Sequence, residues 1–296
     1  LPPLSIQQKI VSILDAIQEA IEVQEKIIEK TKELKKSMVN LLFHYGIKAL
    51  KVKELLSSRV GELTSSEIEK LGIKLKKTEI GEIPEDWEVV RLGEVVETKY
   101  GYRCSIPSEI SGEGIEIIST AEITDDNKLD LSNIRKVKID YYEAKKYEIN
   151  FGDVLFNWRN DLKHIGKAAV VNFKPEKHYI FASFLLRLRP INEKLLSIFL
   201  WRTLVLLREK GLFTKFARRI VNQANFNAEE LKFIKIPLPP LYEQREIAEI
   251  LQTIDQKIEI EQKKKELYEE LFKTMLNKLM NSPREIVEKL LKQVNF

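Results

Sequence analysis

The sequence is poor in cysteine and histidine and contains no long apolar run. The single cysteine among its 296 residues, Cys104, excludes a framework of intramolecular disulfides. The three histidines, His44, His164 and His178, lie too far apart in the sequence to suggest a zinc site. No segment approaches the ~18 consecutive apolar residues of a membrane-spanning helix, and the chain does not open with a secretory signal. We therefore expect a cytoplasmic protein with no disulfide, metal site or membrane contact.

The overall charge is nearly balanced, at +4, and does not identify a partner. Apolar residues make up 44% of the chain and charged residues 32%, a balance that allows a folded core and argues against intrinsic disorder. No glycine-rich loop of the kind that cradles nucleotide phosphates is present. The composition is that of a globular protein without a recognisable nucleotide site.

The clearest pattern is an internal repeat. Residues 1–43 and 238–280 align without a gap at an offset of 237 positions, and 19 of the 43 pairs are identical. Both copies begin Leu-Pro-Pro-Leu and continue with isoleucine and leucine at matching positions. A constant offset over this length indicates a duplicated structural unit.

Each copy predicts one long helix. The paired prolines cannot lie inside a helix, but they can precede one. Apolar residues then recur at steps of three and four, with polar residues in the middle of the stripe, which is the period of a coiled-coil seam. Such a stripe needs a partner, and the other copy is the obvious one. The alternative is two core helices of an ordinary domain, although such helices average only ~11–12 residues.

The segment between the two copies predicts an α+β globular domain, because short candidate strands occur together with helical patterns. The strands are expected at Ile115–Ser119, Val154–Trp158, Lys167–Phe173 and Tyr179–Leu188, and the helices at Asn192–Lys210 and Ala228–Phe233. The predicted organisation is a first long helix over 1–44, a connector over 45–79, the globular domain over 80–237, a second long helix over 238–281 and a short helix over 282–296.

Charge is distributed unevenly within the globular domain. Residues 80–127 contain 3 Lys and Arg against 12 Asp and Glu, and residues 128–222 contain 20 against 9. A segment this basic is typical of a phosphate-facing surface. The alternative is a solvated face that the acidic segment neutralises.

Three short clusters contain cations and amides or cations alone. Two of them also contain aromatic residues. In the major groove of DNA, arginine can form bidentate hydrogen bonds with guanine, and asparagine or glutamine can form them with adenine. The same residue types are also ordinary turn material. In chain order, the candidate DNA-binding residues are Lys99, Tyr100, Tyr102 and Arg103 in the first cluster, Asn157, Trp158, Arg159 and Asn160 in the second, with Lys163 shortly after it, and Arg218, Arg219, Asn222, Gln223 and Asn225 in the third.

Catalytic equipment is not recognisable in the sequence. The triplet Glu143-Ala144-Lys145 has the form of half a nuclease site, but Asp140 is too close to supply the missing carboxylate from a separate strand. His164 near Asp161 is more typical of a loop than of a general base. These patterns favour a recognition module over an enzyme.

Together these features resemble the DNA specificity subunit of type I restriction-modification systems. The resemblance rests on the repeated Leu-Pro-Pro-Leu helix start, on IGEIPEDWEVVRLGEVV before the globular domain and on NFNAEELKFIKIPLPPLYEQREIAEIL after it. Gly152-Asp153-Val154-Leu155 and Ile165-Gly166-Lys167-Ala168 are similar to recurrent elements of the family's target recognition domains. The resemblance covers nearly the whole chain.

The resemblance implies a subunit that has no catalytic activity and no cofactor of its own. In the family, two target recognition domains each read one half of a bipartite site in double-stranded DNA, and two long helices hold them apart as an antiparallel coiled coil. The implied partners are two methyltransferase subunits per complex, which bind S-adenosylmethionine, and a restriction and translocase subunit, which uses ATP and Mg²⁺. No membrane is involved.

The sequence departs from the family in having two helices but one recognition domain, and it begins at Leu1 within the helix-start motif. We expect either a fragment that lacks the other recognition domain or a half-subunit that dimerises. Two further hypotheses are the specificity portion of a fused methyltransferase and restriction enzyme, and a purely structural coiled-coil scaffold.

Overall fold

The computed structural model describes residues 3–51, 63–104, 110–111, 113–216, 218–220, 223–225 and 227–281. The helices are α1 (Leu4–Tyr45), α2 (Ser65–Lys70), α3 (Leu92–Val95), α4 (Tyr141–Lys145), α5 (Ser197–Glu209), α6 (Leu212–Phe216), α7 (Ala228–Lys232) and α8 (Leu241–Asn281), with 3₁₀ turns at Ile47–Lys51 and Thr120–Glu122. The strands are β1 (Leu75–Thr78), β2 (Gly81–Pro84), β3 (Glu88–Arg91), β4 (Val96–Tyr100), β5 (Ile110–Ser111), β6 (Ile115–Ile118), β7 (Arg135–Val137), β8 (Val154–Asn157), β9 (Arg159–Asn160), β10 (Ala168–Val170), β11 (Tyr179–Phe181), β12 (Leu185–Pro190), β13 (Arg218–Ile220), β14 (Gln223–Asn225) and β15 (Lys235–Leu238). The short helix predicted over 282–296 lies outside the described residues.

Two compact units divide the chain. The helical unit comprises Leu1–Asn40, Ser58–Gly61 and Glu249–Phe296, and the globular unit comprises Leu41–Ser57 and Glu62–Ala248. The long helices α1 and α8 each give most of their length to the helical unit and one end to the globular unit. The predicted α+β class with two long helices is confirmed.

In the helical unit, α1 and α8 run antiparallel. Ile10 and Ile13, early in α1, pack against Leu279 near the end of α8. Lys35, late in α1, forms an ion pair of 2.7 Å with Asp255, early in α8. Residue numbers therefore fall along one helix as they rise along the other, which confirms the antiparallel pairing.

The middle of this helix pair contains buried polar side chains, where the apolar stripe is interrupted. Gln24 and Glu261 are 6% and 7% exposed, and the Gln24 amide donates a hydrogen bond to the Glu261 carboxylate. Lys264, one turn further along α8, donates to the same carboxylate, with 3.1 Å between Nζ and Oε2. Hydrogen bonds from Gln24 and then Lys264 lower the pKa of Glu261 below its usual value. The carboxylate thus stays charged although it is buried.

The central sheet of the globular unit has the strand order β10-β8-β12-β4, and all its neighbours are antiparallel. Strand β8 is buried on both faces, which explains its continuous apolar sequence Val-Leu-Phe. Leu155 joins one core cluster, which includes Phe181. Phe156 points to the other face, where its ring centroid lies 4.9 Å from that of Phe213. The central sheet therefore has a core on each side.

The other sheets are smaller. Strands β11-β6-β7-β5 form a second sheet that contains the parallel pair β11 and β6. The remaining pairings are β13-β14-β9, β15-β3 and the hairpin β1-β2. The hairpin begins inside the range predicted as a connector, so that range includes strand as well as helix.

One predicted strand is wrong. The sequence predicts a single strand over Tyr179–Leu188, but the structure divides this stretch into β11 and β12, which lie in different sheets. The turn at 182–184 that separates them contains neither glycine nor proline, so no local signal marks it. The other strands predicted for the globular domain, and its two predicted helices, are present with shorter bounds.

Glu243 at the start of α8 is a buried acceptor within the globular unit. Its carboxylate accepts hydrogen bonds from the indole N–H of Trp87 and from the backbone N–H of Ile47, each at 2.8 Å. Gly46 lies against it with a φ of +71°, and a Cβ there would stand 2.2 Å from Glu243 Oε1. Only glycine fits this conformation and this approach.

Gln244 makes a second set of internal contacts. Its side-chain oxygen accepts a hydrogen bond from the backbone N–H of Leu196 at 2.9 Å, and its amide nitrogen donates to the backbone oxygen of Lys194 at 2.7 Å. These bonds fix the segment that leads into α5. Glu243 and Gln244 at the start of the second copy are therefore structural.

Candidate nucleic-acid interface

Three chain segments meet at one edge of the central sheet. Because the strands are antiparallel, the end of β4, the start of β12 and the end of β8 lie side by side. Leu186 of β12 pairs with Tyr100 on one side and with Phe156 on the other. The residues just beyond this register therefore come together although they are far apart in the sequence.

Gly101 allows two of these segments to approach closely. Its backbone N–H donates to the carbonyl oxygen of Leu185 at 3.2 Å. A Cβ at position 101 would lie 2.2 Å from the carbonyl oxygen of Ala182. A larger residue would push the end of β4 away from the turn that precedes β12.

Trp158 and Tyr100 form an aromatic pair at this edge. Their ring centroids are 5.2 Å apart in an edge-to-face arrangement. The Trp158 indole N–H donates to the carbonyl oxygen of Ser183 at 2.8 Å, and the Tyr100 hydroxyl accepts from the backbone N–H of Ala228 at 3.0 Å. Tyr100 remains 43% exposed. Two of the predicted residues are thus in contact and accessible.

A small sheet unites the second and third predicted clusters. Arg159 of β9 pairs with Asn225 of β14, and Asn160 pairs with Ala224. Strand β14 in turn pairs with β13, where Arg218 lies opposite Asn225. Segments about sixty residues apart in the chain therefore lie on adjacent strands. Only the backbone is described for Arg218, Arg219 and Gln223, and Asn222 lies outside the described residues.

Phe184 is a member of this edge that the sequence did not reveal. It is 42% exposed, and the guanidinium carbon of Arg159 lies 5.1 Å from its ring centroid. This is the geometry of a cation–π contact, which holds the guanidinium against the ring. The missed turn between β11 and β12 is the reason that Phe184 was not predicted as a surface residue. We call Tyr100, Trp158, Arg159, Asn160, Phe184 and Asn225 the candidate edge.

Asn157 does not belong to the candidate edge, which corrects its prediction as a base-reading residue. It is fully buried, and its side-chain amide donates to the carbonyl oxygen of His164 at 3.2 Å. Its backbone N–H bonds to Lys167 and its carbonyl oxygen to Gly166, each at 2.8 Å. Asn157 closes the loop that follows β8 and leaves no atom at the surface for a base.

The loop between β9 and β10 is held by a side-chain contact of its own and by Arg208 of α5. His164 Nδ1 lies 2.7 Å from Asp161 Oδ1, and this contact lowers the pKa of Asp161. Arg208 of α5 donates to the carbonyl oxygens of Lys163 and Ile165, at 2.6 and 3.2 Å. Lys163 is exposed on this loop, next to the candidate edge in sequence.

Lys99 and Tyr102 lie elsewhere. Lys99 Nζ stands 5.7 Å from the ring centroid of Tyr147, and the Tyr102 ring stands 5.5 Å from the same centroid. Neighbouring side chains on a strand point to opposite faces, so Lys99 and Tyr100 diverge. Arg103 is exposed beyond the end of β4. The first predicted cluster is therefore divided, with Tyr100 at the candidate edge.

Part of the basic segment is neutralised by the acidic segment, as the alternative interpretation expects. Lys167 is buried and pairs with Asp125 at 2.5 Å, and this hydrogen bond lowers the pKa of Asp125. Lys167 is therefore committed inside the fold. Two further pairs of this kind join Lys177 to Glu116 at 3.0 Å and Arg187 to Glu97 at 3.1 Å.

The Gly-Asp-Val-Leu element is structural. The Asp153 carboxylate is 1% exposed and binds the Arg189 guanidinium through two hydrogen bonds, of 2.7 and 2.8 Å. It also accepts from the backbone N–H of Asn150 at 2.7 Å, which closes the turn before β8. Asp153, immediately before β8, is thus linked to β12 through the side chain of Arg189.

The triplet that resembles a nuclease half-site belongs to the short helix α4. Asp140 caps this helix by accepting from the backbone N–H groups of Tyr142 and Glu143. Glu143 pairs with Lys146, and Lys145 Nζ lies 4.9 Å from the ring centroid of Tyr141.

The described residues contain no group of three or more His, Cys, Asp and Glu side chains arranged to hold a metal ion. None of the described helices is long and apolar enough to cross a membrane.

Comparison with known proteins places this geometry in a family. Residues 84–270 match the model of the type I restriction modification DNA specificity domain. Two similar proteins come from Methanocaldococcus jannaschii. One, named as the MjaX specificity subunit of a type I restriction enzyme, is 39% identical over 206 residues, which are 69% of this chain and 48% of that protein. The other, the MjaVIII specificity subunit, is 29% identical over an alignment 312 residues long, which covers all of this chain and 63% of that protein.

A solved structure supports the fold. The HsdS subunit from Thermoanaerobacter tengcongensis superposes with a TM-score of 0.53 at 20% identity, over 94% of this chain and 58% of that one. The chain thus spans about half to two thirds of the length of the proteins it matches. On the match of its residues 84–270, the chain belongs to the family of type I restriction modification DNA specificity domains.

Proposed function

We propose that this chain recognises one half of a bipartite DNA sequence for a type I restriction-modification complex. The observation that carries the proposal is the candidate edge, where segments near positions 100, 158, 184 and 225 converge. An arginine, two amides and exposed aromatic rings stand together there, and these groups suit base edges in a groove. The family supports the same function, because its members bear the name of DNA specificity domains.

The long helices have the role of a scaffold in this proposal. With 42 and 41 residues, α1 and α8 are each about 60 Å long at ~1.5 Å per residue. Apolar side chains remain exposed on both helices, among them Val11, Val23, Leu34, Ile260, Leu267 and Leu271. Ile260, Leu267 and Leu271 are spaced by seven and four residues and lie on one face of α8, and an exposed apolar face is typical of a surface that another protein covers. The partners would be methyltransferase subunits, which bind S-adenosylmethionine, and a restriction subunit, which uses ATP and Mg²⁺.

The direct test is selection of duplex DNA from a random pool by the purified chain together with a methyltransferase subunit. Enrichment of one half-site, or of its inverted repeat at a fixed spacing, is the expected result. The inverted repeat would further indicate two copies of the chain in one complex. Binding of the methyltransferase without enrichment of any sequence would favour the purely structural scaffold. Methyl transfer by the chain alone would favour the fused-enzyme hypothesis.

Arg159 gives the sharpest prediction at the candidate edge. Replacing it with alanine is expected to weaken binding to the selected sequence by about 1–3 kcal/mol, because a bidentate contact with guanine is lost. Arg159→Lys should restore little, since an ammonium cannot form the paired contact. The measurement is the dissociation constant for the selected duplex and for a scrambled one. An equal loss on both duplexes, with a weaker salt dependence, would assign Arg159 to a phosphate instead.

The chain contains a matched control for this variant. Arg91 also lies over a phenylalanine, and its guanidinium carbon is 5.6 Å from the ring centroid of Phe233. Arg91 belongs to β3, which pairs with β15 and is not a strand of the central sheet. Arg91→Ala removes the same side chain from the same kind of contact, and we expect DNA binding to stay unchanged.

Phe184 should act through Arg159. Phe184→Leu removes the ring that holds the guanidinium, and cation–π contacts contribute about 0.5–2 kcal/mol. We expect a smaller loss of sequence preference than for Arg159→Ala, and no additional loss when the two changes are combined. Phe233→Leu is the control. Fully additive losses would show that Phe184 contacts DNA independently.

A further inference from the structure

The apolar stripes of the two long helices do not distinguish one helix from the other. Ile10, Leu14, Ile17 and Leu42 have the same residue types as their equivalents, Ile247, Leu251, Ile254 and Leu279. An antiparallel pair of two α1 helices or of two α8 helices, from two copies of the chain, would bury nearly the same apolar surface. Apolar packing alone therefore leaves the choice of partner open.

Polar contacts across the pair do distinguish the helices. Gln24 donates to Glu261, Glu25 pairs with Lys265 at 2.7 Å, and Lys35 pairs with Asp255 at 2.7 Å. These six residues form what we call the polar layer. All six face a different residue type if the partner helix is exchanged for a second copy of the same helix.

The repeat shows what a pair of two α8 helices would contain. At the offset of 237, Gln24 is replaced by Glu261, Glu25 by Gln262 and Lys35 by Phe272. Glu261 would then meet another Glu261, and Asp255 would meet Phe272. Two carboxylates would share a buried position, which is costly because like charges repel and neither is well solvated. Lys257 and Lys264 lie 3.7 and 3.1 Å from the Glu261 carboxylate, and they would offset only part of this cost.

A pair of two α1 helices loses contacts in a different way. Glu261 is replaced by Gln24, Lys265 by Ile28 and Asp255 by Gln18. Glu25 would then lie against Ile28, and Lys35 against Gln18. Both ion pairs disappear, and the central contact becomes one between two neutral amides.

The central contact is special because Gln24 and Glu261 occupy the same position in the two copies. In any pair of identical helices, this position meets itself. A difference in residue type at this one position therefore separates unlike from like pairing more directly than a change elsewhere. A single buried polar residue is known to set partner choice in coiled coils in the same manner.

We propose that the polar layer specifies the pairing of α1 with α8 and opposes the pairing of either helix with a second copy of itself. Gln24 and Glu261 are the deciding residues, and the ion pairs of Glu25 and Lys35 reinforce them. The proposal is independent of DNA binding, because it concerns only the helical unit.

The test exchanges the central residues in the full chain. In Gln24→Glu, every possible pairing brings two glutamates together, and we expect the helical melting transition to fall by about 4 °C or more, with no gain in self-association. In Glu261→Gln, every pairing brings two glutamines together, so we expect a higher dimer fraction in sedimentation equilibrium than in the unchanged chain. The double variant Gln24→Glu/Glu261→Gln restores an unlike pair and should recover most of the melting temperature and the original dimer fraction.

Gln8→Glu is the control, because it adds the same charge to an exposed position of α1. It should leave both measurements unchanged. A double variant as unstable as Gln24→Glu would overturn the proposal, since the contact between positions 24 and 261 would then not decide the pairing. A dimer fraction in Glu261→Gln equal to that of the unchanged chain would overturn it as well.

Discussion

Replacing Asp153 with alanine is expected to destabilise the globular unit by about 3 kcal/mol, because it leaves a partly buried guanidinium without its partner. Arg189 is 34% exposed on its side chain, so water compensates part of the loss, and the figure lies at the lower end for broken buried pairs. The turn before β8 also loses the acceptor for the backbone N–H of Asn150.

Urea unfolding followed by circular dichroism measures this change. Asp126→Ala is the control, because Asp126 is exposed in the same unit. Asp153→Asn keeps the shape of the side chain but removes the charge, and it should lie between the two. A loss below about 1 kcal/mol for Asp153→Ala would mean that the pair with Arg189 contributes no more than a surface ion pair.

Glu243→Ala is expected to have a comparable or larger effect. Two donors, the indole N–H of Trp87 and the backbone N–H of Ile47, would lose their acceptor, and each buried unpaired group costs about 1–3 kcal/mol. Trp87 is fully buried, so no water replaces the carboxylate without rearrangement. Glu243→Gln should be milder, because one oxygen remains as an acceptor.

The exposed Glu246 on the same helix supplies the control, Glu246→Ala, which should be neutral. A double-mutant cycle with Trp87→Phe isolates the indole contact, since phenylalanine has no donor. If Glu243→Ala were as harmful in the Trp87→Phe background as in the unchanged chain, the stabilising partner would be Ile47 alone.

The internal repeat made the two long helices predictable. The repeat and its apolar spacing of three and four residues can be read directly from the sequence, and they predict α1 and α8. The strands of the globular unit were also recognisable where an apolar run followed a turn residue, as β8 follows Gly152. The strand over Tyr179–Leu188 failed because Ala182, Ser183 and Phe184 carry no turn signal, although the chain changes sheets there.

The sequence indicated which kinds of residue form the candidate edge, but not which individual residues come together there. The sequence predicts Arg159, Asn160 and Asn225 as candidates, yet their proximity depends on the pairing of β9 with β14, which no local pattern encodes. Asn157 was assigned to the surface because an amide before an aromatic residue and an arginine is polar in sequence. Its burial follows from hydrogen bonds to backbone atoms of residues 164–167, which only the folded chain reveals.

The closure of the loop after β8 has an evolutionary consequence. Backbone hydrogen bonds of Asn157 with Gly166 and Lys167 hold its two ends together, and the Asn157 side-chain amide donates to the carbonyl oxygen of His164. None of these bonds uses a side chain of residues 158–165. Exposed positions such as Leu162 and Lys163 can therefore change by single substitutions without loss of the fold. Under the proposed function, substitutions at these exposed positions would alter contacts with DNA, while the buried residues that close the loop would be retained for stability.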